Sequence, residues 1–235
     1  MTAIWRWGLA AALVFWSGSL LLVPSYPKDI ADRMLPARSL QGGGPVTIAF
    51  MGTSLTAGSF WPDSVAAAVS VCLARPVRAL RFAQGGATSD WGRGQIGAVI
   101  AAAPDIVVME FAINDADLRR GVSLAASADN HSAILTRLRQ GLPEVRLVLM
   151  TTNPARGLRQ LLRPRLPAYY GLYHRMAADK NVGLIDFTPR WLAVPDMAEG
   201  FPDGLHPTDA VAVAVVGPVM TAYLAGLLGS TCAPA

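Results

Sequence analysis

From residue 46 onward, short apolar runs alternate with longer stretches of helical pattern. Residues 46–51, 77–83, 105–111, 145–151 and 182–187 are runs of strand length. The run 105–111 is nearly all apolar, as expected of a parallel strand covered on both faces. Residues 64–73, 94–103, 124–140, 169–180 and 208–228 read as helices, with Pro104 closing the second and Gly141 and Pro143 following the third. Strands that alternate with helices predict an α/β fold, a five-stranded parallel sheet with helices on both sides. The last helix carries no charge from Ala210 to Leu228, but Asp209 opens it and Gly217-Pro218 interrupts it. It is therefore expected to pack on the sheet.

Ahead of this alternation, residues 7–23 form a chargeless apolar run preceded by Arg6. As a helix it would reach roughly 26 Å, just short of a bilayer's hydrocarbon core. A signal peptide or an uncleaved membrane anchor both fit, and no good small-residue cleavage site follows. Either implies export to a periplasmic or other extracytoplasmic compartment. Residues 24–45, rich in Pro, Gly and charge, read as a flexible tether. The expected organisation is thus an N-terminal segment 1–23, a tether 24–45, one domain 46–229 and a tail 230–235.

The chain is 52% hydrophobic and 15% charged, with mean hydropathy +0.37. Net charge is +4, and no dense basic run interleaved with aromatics suggests nucleic acid. Cys72 and Cys232 belong to no metal-binding pattern, so no metal is expected. Export would permit a disulfide between them, and the sequence leaves the pairing open.

The candidate chemistry falls at strand ends, where open parallel sheets bind ligands. Ser54, within Gly52-Thr53-Ser54-Leu55-Thr56, follows the first strand. Gly85-Gly86 follows the second, Ala112-Ile113-Asn114-Asp115 the third, and Asn153 the fourth. Asp203-Gly204-Leu205-His206-Pro207 follows the fifth by a longer loop. A serine hydroxyl needs a base. His131 and His174 lie within helices and read as solvated surface residues. His206 precedes Pro207 and follows Asp203 by three residues, so one turn can aim both side chains into one cleft. The N–H groups of Ser54 and Gly86 and the amide of Asn114 are candidate donors to an oxyanion. Each segment has a plainer alternative: a phosphate-binding turn at Ser54, a simple turn at Asp203-Gly204, a helix cap at Asn114.

Together these segments resemble the SGNH hydrolases, the GDSL esterase/lipase family. Gly52-Thr53-Ser54-Leu55 is similar to the first block, Gly86 to the second-block glycine, Ala112-Ile113-Asn114-Asp115 to the third, and Asp203 to Pro207 to the last. Thr53 and Ala112 depart from the family's Asp and Gly. The resemblance, over residues 46–229, implies a flavodoxin-like three-layer α/β/α fold and ester hydrolysis through an acyl-enzyme without cofactor. It assigns Ser54 as nucleophile, His206 as base with Asp203 as its partner, and Ser54, Gly86 and Asn114 as the oxyanion hole. Expected substrates are O-acetyl or short acyl esters on an envelope glycan or lipid. Transfer of the acyl group to a glycan, or a catalytically inactive binding domain, are the alternatives. Trp61, Trp91, Asn153 and Arg156 are candidate substrate contacts, although single tryptophans also serve as packing. Arg156, Arg159, Arg163 and Arg165 make a basic loop after the fourth strand. It either overhangs the site or is simply solvated.

Overall fold

The computed structural model describes residues 25–39, 43–194 and 197–232. The expected N-terminal segment 1–23 lies outside them. Five parallel strands, β1 (Val46–Gly52), β2 (Val77–Ala83), β3 (Ile106–Glu110), β4 (Arg146–Met150) and β5 (Gly183–Ile185), stand in the order β2-β1-β3-β4-β5. Their connections carry the helices α1 (Ser54–Ala57), α2 (Trp61–Leu73), α3 (Ser89–Ala102), α4 (Ala112–Asp115), α5 (Leu124–Gly141), α6 (Gly157–Leu161), α7 (Leu166–Asp179), α8 (Phe187–Leu192), α9 (Met197–Gly200) and α10 (Asp209–Leu227), with a 3-10 turn at Leu118–Arg120.

The period-two alternation of each strand divides the core into two layers. Ala49, Met51, Val107, Met109, Leu147 and Leu149 pack with residues of α3, α5 and α7, such as Ile96, Ile134 and Tyr173. Ile48, Phe50, Ile106, Val108, Val148 and Met150 pack with α2 and α10 through Val65, Val216, Met220 and Leu224. Both faces of the sheet are thus covered, which is why the strands read as nearly unbroken apolar runs. The expected α/β/α architecture is the one observed.

Helix α10 is long and apolar enough to cross a membrane by composition. Its inner side nevertheless packs on the sheet, with Met220 and Leu224 fully buried. A disulfide joins Cys72, at the end of α2, to Cys232 beyond α10, with Cα atoms 5.5 Å apart. The pairing left open by the sequence is thereby made.

Two expectations are corrected. Strand β5 ends at Ile185 rather than 187. Asp186 turns the chain instead, accepting a hydrogen bond from Thr151 Oγ1 at 2.7 Å while its N–H donates to Asp32. Residues 25–39, expected to be a tether, are a strap along the β5 edge. Arg33 and Leu184 exchange backbone hydrogen bonds of 2.9 and 3.0 Å in antiparallel sense. Arg190 holds Asp32 through both guanidinium NH2 groups, Leu35 is buried, and Arg38 N–H reaches Leu227 O at the end of α10. Pairing the strap satisfies an otherwise open sheet edge.

Candidate active site

The turn after β1 is built around a buried carboxylate. Glu110, the last residue of β3, accepts from Thr53 N–H at 2.6 Å, from Thr53 Oγ1 at 3.0 Å and from Thr56 Oγ1 at 2.8 Å. Burial pushes its pKa up to about 7, against the lowering effect of the Thr53 and Thr56 hydrogen bonds. Gly52 makes room for it, since a Cβ there would lie 2.2 Å from Glu110 Oε1. Thr53 is the N-cap of α1, its hydroxyl accepting from Leu55 N–H. Ser54 therefore stands at the first position of a helix, fixed from both sides.

Ser54 Oγ lies 2.7 Å from His206 Nε2. His206 Nδ1 lies 2.8 Å from Asp203 Oδ2. The other carboxylate oxygen, Oδ1, accepts from the N–H groups of Leu205 and His206 at 3.0 and 2.8 Å. One turn thus wraps its own backbone around Asp203 and aims the imidazole at the serine. Burial works against the Asp203 charge, but the hydrogen bonds from His206 and Leu205 outweigh it and hold the carboxyl far below its usual range. Gly204 has φ +76°, and a Cβ there would meet Arg156 O at 2.8 Å, so this turn requires glycine. Asn153 is buried and donates to Leu205 O at 2.8 Å. Arg156 N–H donates to Gly204 O at 2.8 Å. Both brace the histidine turn from the end of β4.

Gly86 occupies the turn after β2 with φ +75°, beside the Arg120 guanidinium. Asn114, in α4, donates through Nδ2 to Ala87 O at 3.0 Å, so its amide reaches the Gly86 turn. One Nδ2 hydrogen remains for another acceptor. The N–H groups of Ser54 and Gly86 and one Asn114 Nδ2 hydrogen, from three separate strand ends, thus remain without a protein acceptor among the described residues.

Several expectations need revising. Trp61 is buried, packs edge-on to Phe50 with ring centroids 5.1 Å apart, and donates to Leu55 O. It supports the serine turn from below and is no surface contact. Trp91 packs towards Phe111 against the α3–α5 core. Asn153 is buried and braces the histidine loop through Leu205 O. Arg163 is no solvated loop residue: it is 2% exposed, donates to Ile113 O at 2.8 Å and pairs with Asp117 at 2.7 Å. Its Nη2 also lies 3.4 Å from Asn114 Oδ1, which turns the amide's nitrogen toward Ala87. Arg159 pairs with Asp203 at 2.9 Å.

His131 is fully buried, contrary to expectation. Its Nδ1–H donates to Ser127 O at 2.7 Å, which leaves Nε2 to accept from Tyr173 OH at 2.8 Å. Tyr173 OH in turn accepts from Phe111 N–H at 2.8 Å, where β3 passes into α4. Burial lowers the His131 pKa and favours this neutral form. His174 is partly buried, 3.4 Å from Asp186. Among the described residues, no group of three or more His, Cys, Asp or Glu side chains is placed to hold a metal ion.

Residues 50–212 match the model of the GDSL-like Lipase/Acylhydrolase family. No curated protein sequence matches the chain. Among solved structures, a lipase/acylhydrolase from Enterococcus faecalis is similar at 22% identity and a TM-score of 0.69, covering 81% of this chain and 98% of that one. The acetylxylan esterase Axe2 from Geobacillus stearothermophilus is similar at 18% identity and a TM-score of 0.64, covering 80% and 95%. A GDSL-like lipase from Parabacteroides merdae gives 15% identity and a TM-score of 0.67, covering 82% and 99%.

Proposed function

Because the chain belongs to the GDSL-like lipase/acylhydrolase family and is a serine ester hydrolase, we propose that Ser54 is its nucleophile and that hydrolysis runs through an acyl-enzyme. The observation that carries this is the continuous hydrogen-bonded chain from Ser54 Oγ through His206 to Asp203, at 2.7 and 2.8 Å. His206 Nε2 takes the serine proton as Oγ attacks the ester carbonyl. Asp203, charged throughout, holds the ring tautomer and stabilises the imidazolium. The N–H groups of Ser54 and Gly86 and the free Asn114 Nδ2 hydrogen receive the developing oxyanion. Protonation of the departing alcohol by His206 leaves Ser54 acylated. Water, deprotonated by the same ring, then releases the acid.

The substrate is an O-acetyl or short acyl ester on an envelope glycan or lipid. Similarity to an acetylxylan esterase supports a short acyl group. The Cys72–Cys232 disulfide supports an oxidising, extracytoplasmic compartment.

The test is turnover of p-nitrophenyl acetate, butyrate and octanoate by the wild type and Ser54→Ala. Acetate is expected to be the best substrate, with wild-type activity lost in the variant. A preference for octanoate would contradict the short-acyl assignment, and equal turnover by both proteins the nucleophile assignment.

A further inference from the structure

The rim of the cleft carries exposed apolar side chains and unpaired cations on the same loops. Leu118 is 64% exposed, Leu158 79% and Leu161 56%. They belong to the 3-10 turn and α6, which are tied together by Leu118 N–H to Leu162 O at 2.9 Å. These two segments bridge the site: Arg120 on one lies against Gly86, and Arg159 on the other holds Asp203. Phe60, 65% exposed, lies beyond α1 at the carboxyl end of β1.

Around the three leucines the charge is one-sided: Asp117 is taken by Arg119 and Arg163, and Asp203 by Arg159 and His206, while Asp209 lies apart, beside Phe60. Arg120, Arg156 and Arg165 have no carboxylate partner among the described residues. Exposed leucines interleaved with surplus arginines match a surface that is apolar within and anionic outside.

The path of the chain places this rim relative to the apolar run 7–23. The strap runs antiparallel to β5, so its start lies at the carboxyl end of the sheet. There Tyr26 packs on Tyr170 with centroids 6.2 Å apart, and Tyr170 OH donates to Asn153 O beside the histidine turn. From the end of the apolar run to Tyr26 is three residues, a reach of at most about 10 Å. Were the run anchored in a bilayer, the short link to Tyr26 would hold the carboxyl end of the sheet close to it.

We propose that the rim formed by Leu118, Leu158 and Leu161 with Arg120, Arg156 and Arg165 docks on an anionic lipid bilayer and presents the Ser54 cleft to esters at that surface. The leucines enter the headgroup boundary, and the arginines pair with lipid phosphates. Docking is a property of the surface and stands apart from the chemistry assigned to Ser54.

The test uses the full-length chain in phosphatidylcholine vesicles with or without phosphatidylglycerol. A bimane probe is placed at Leu118→Cys, or at Glu144→Cys at the opposite end of the sheet, and quenched with a shallow spin-labelled lipid. Quenching at 118 should exceed that at 144 by about twofold or more when phosphatidylglycerol is present. It should fall towards the 144 level without that lipid, and likewise when Leu158→Asp and Leu161→Asp are combined. Equal quenching at both positions overturns the proposal, as does quenching at 118 that ignores lipid charge. So does cross-linking of two copies through 118 in place of lipid contact. Turnover of p-nitrophenyl acetate by the same labelled chains is read in parallel. Lost turnover with retained quenching removes the Ser54 chemistry and leaves docking intact; the reverse removes docking alone.

Discussion

Arg159 Nη2 donates to Asp203 Oδ2 at 2.9 Å, the same oxygen that lies 2.8 Å from His206 Nδ1. A cation thus shares the carboxylate that serves the histidine. It fixes the carboxylate's orientation and also draws off part of its charge.

Replacing Arg159 separates these two effects. In Arg159→Gln the full Asp203 charge becomes available to the protonated His206 ring, so the acidic limb of the kcat/KM profile should move to higher pH. Both side chains are about one-third exposed, so solvent screening keeps the shift small. A purely structural role would lower kcat without moving the limb.

Glu110 gives the fold a pH dependence of definite sign. Its carboxyl is pushed up to about 7 from an ordinary glutamate value of 4.5. The stability associated with this group is fully present below pH 4.5 and is lost as pH rises through about 7. The loss amounts to about 3 kcal/mol. Chemical denaturation of wild type and Glu110→Gln across that window should show the slope in the wild type and not in the variant. Asp203, whose carboxyl is held low, acts in the opposite direction and only at more acidic pH, so the two contributions separate.

Asn114 and Arg163 are coupled through the amide. Asn114→Ala removes one oxyanion donor and should reduce kcat about 10²- to 10³-fold with little change in KM. Arg163→Met removes the bond to Ile113 O and one of two cations on Asp117, which keeps Arg119, and should cost about 1–3 kcal/mol of stability. Thermal denaturation and steady-state kinetics distinguish the two variants.

The disulfide closes a long loop, Cys72 and Cys232 being 160 positions apart. Its reduction, or Cys72→Ser, should lower stability by about 2–5 kcal/mol. The site lies at the other end of α10 and should keep its kcat at temperatures where the protein stays folded. The check is Tm and p-nitrophenyl acetate turnover with and without reductant.

Much of this was legible in the chain. Strands buried on both faces announce themselves as apolar runs, and a Pro after His206 marks where the turn meets α10. The short α1, α4 and α6 were not legible, because their ends are set by tertiary contacts such as Glu110 on Thr53. The burial of His131 has a sequence signal, since it shares a helical stripe with Ile134, Leu135 and Leu138, all buried. Arg159 and Arg163 find partners 44 to 50 positions away, beyond any local pattern. The strap's composition suggested a tether, and only its pairing with the β5 edge makes it structure.

The central claim is that Ser54 is the group acylated. Incubation with a fluorophosphonate, followed by mass mapping of the modified peptide, tests it directly. The account predicts a single adduct on Ser54, absent in Ser54→Ala and strongly slowed in His206→Ala. An adduct on any other residue, or undiminished labelling of Ser54→Ala, would contradict it.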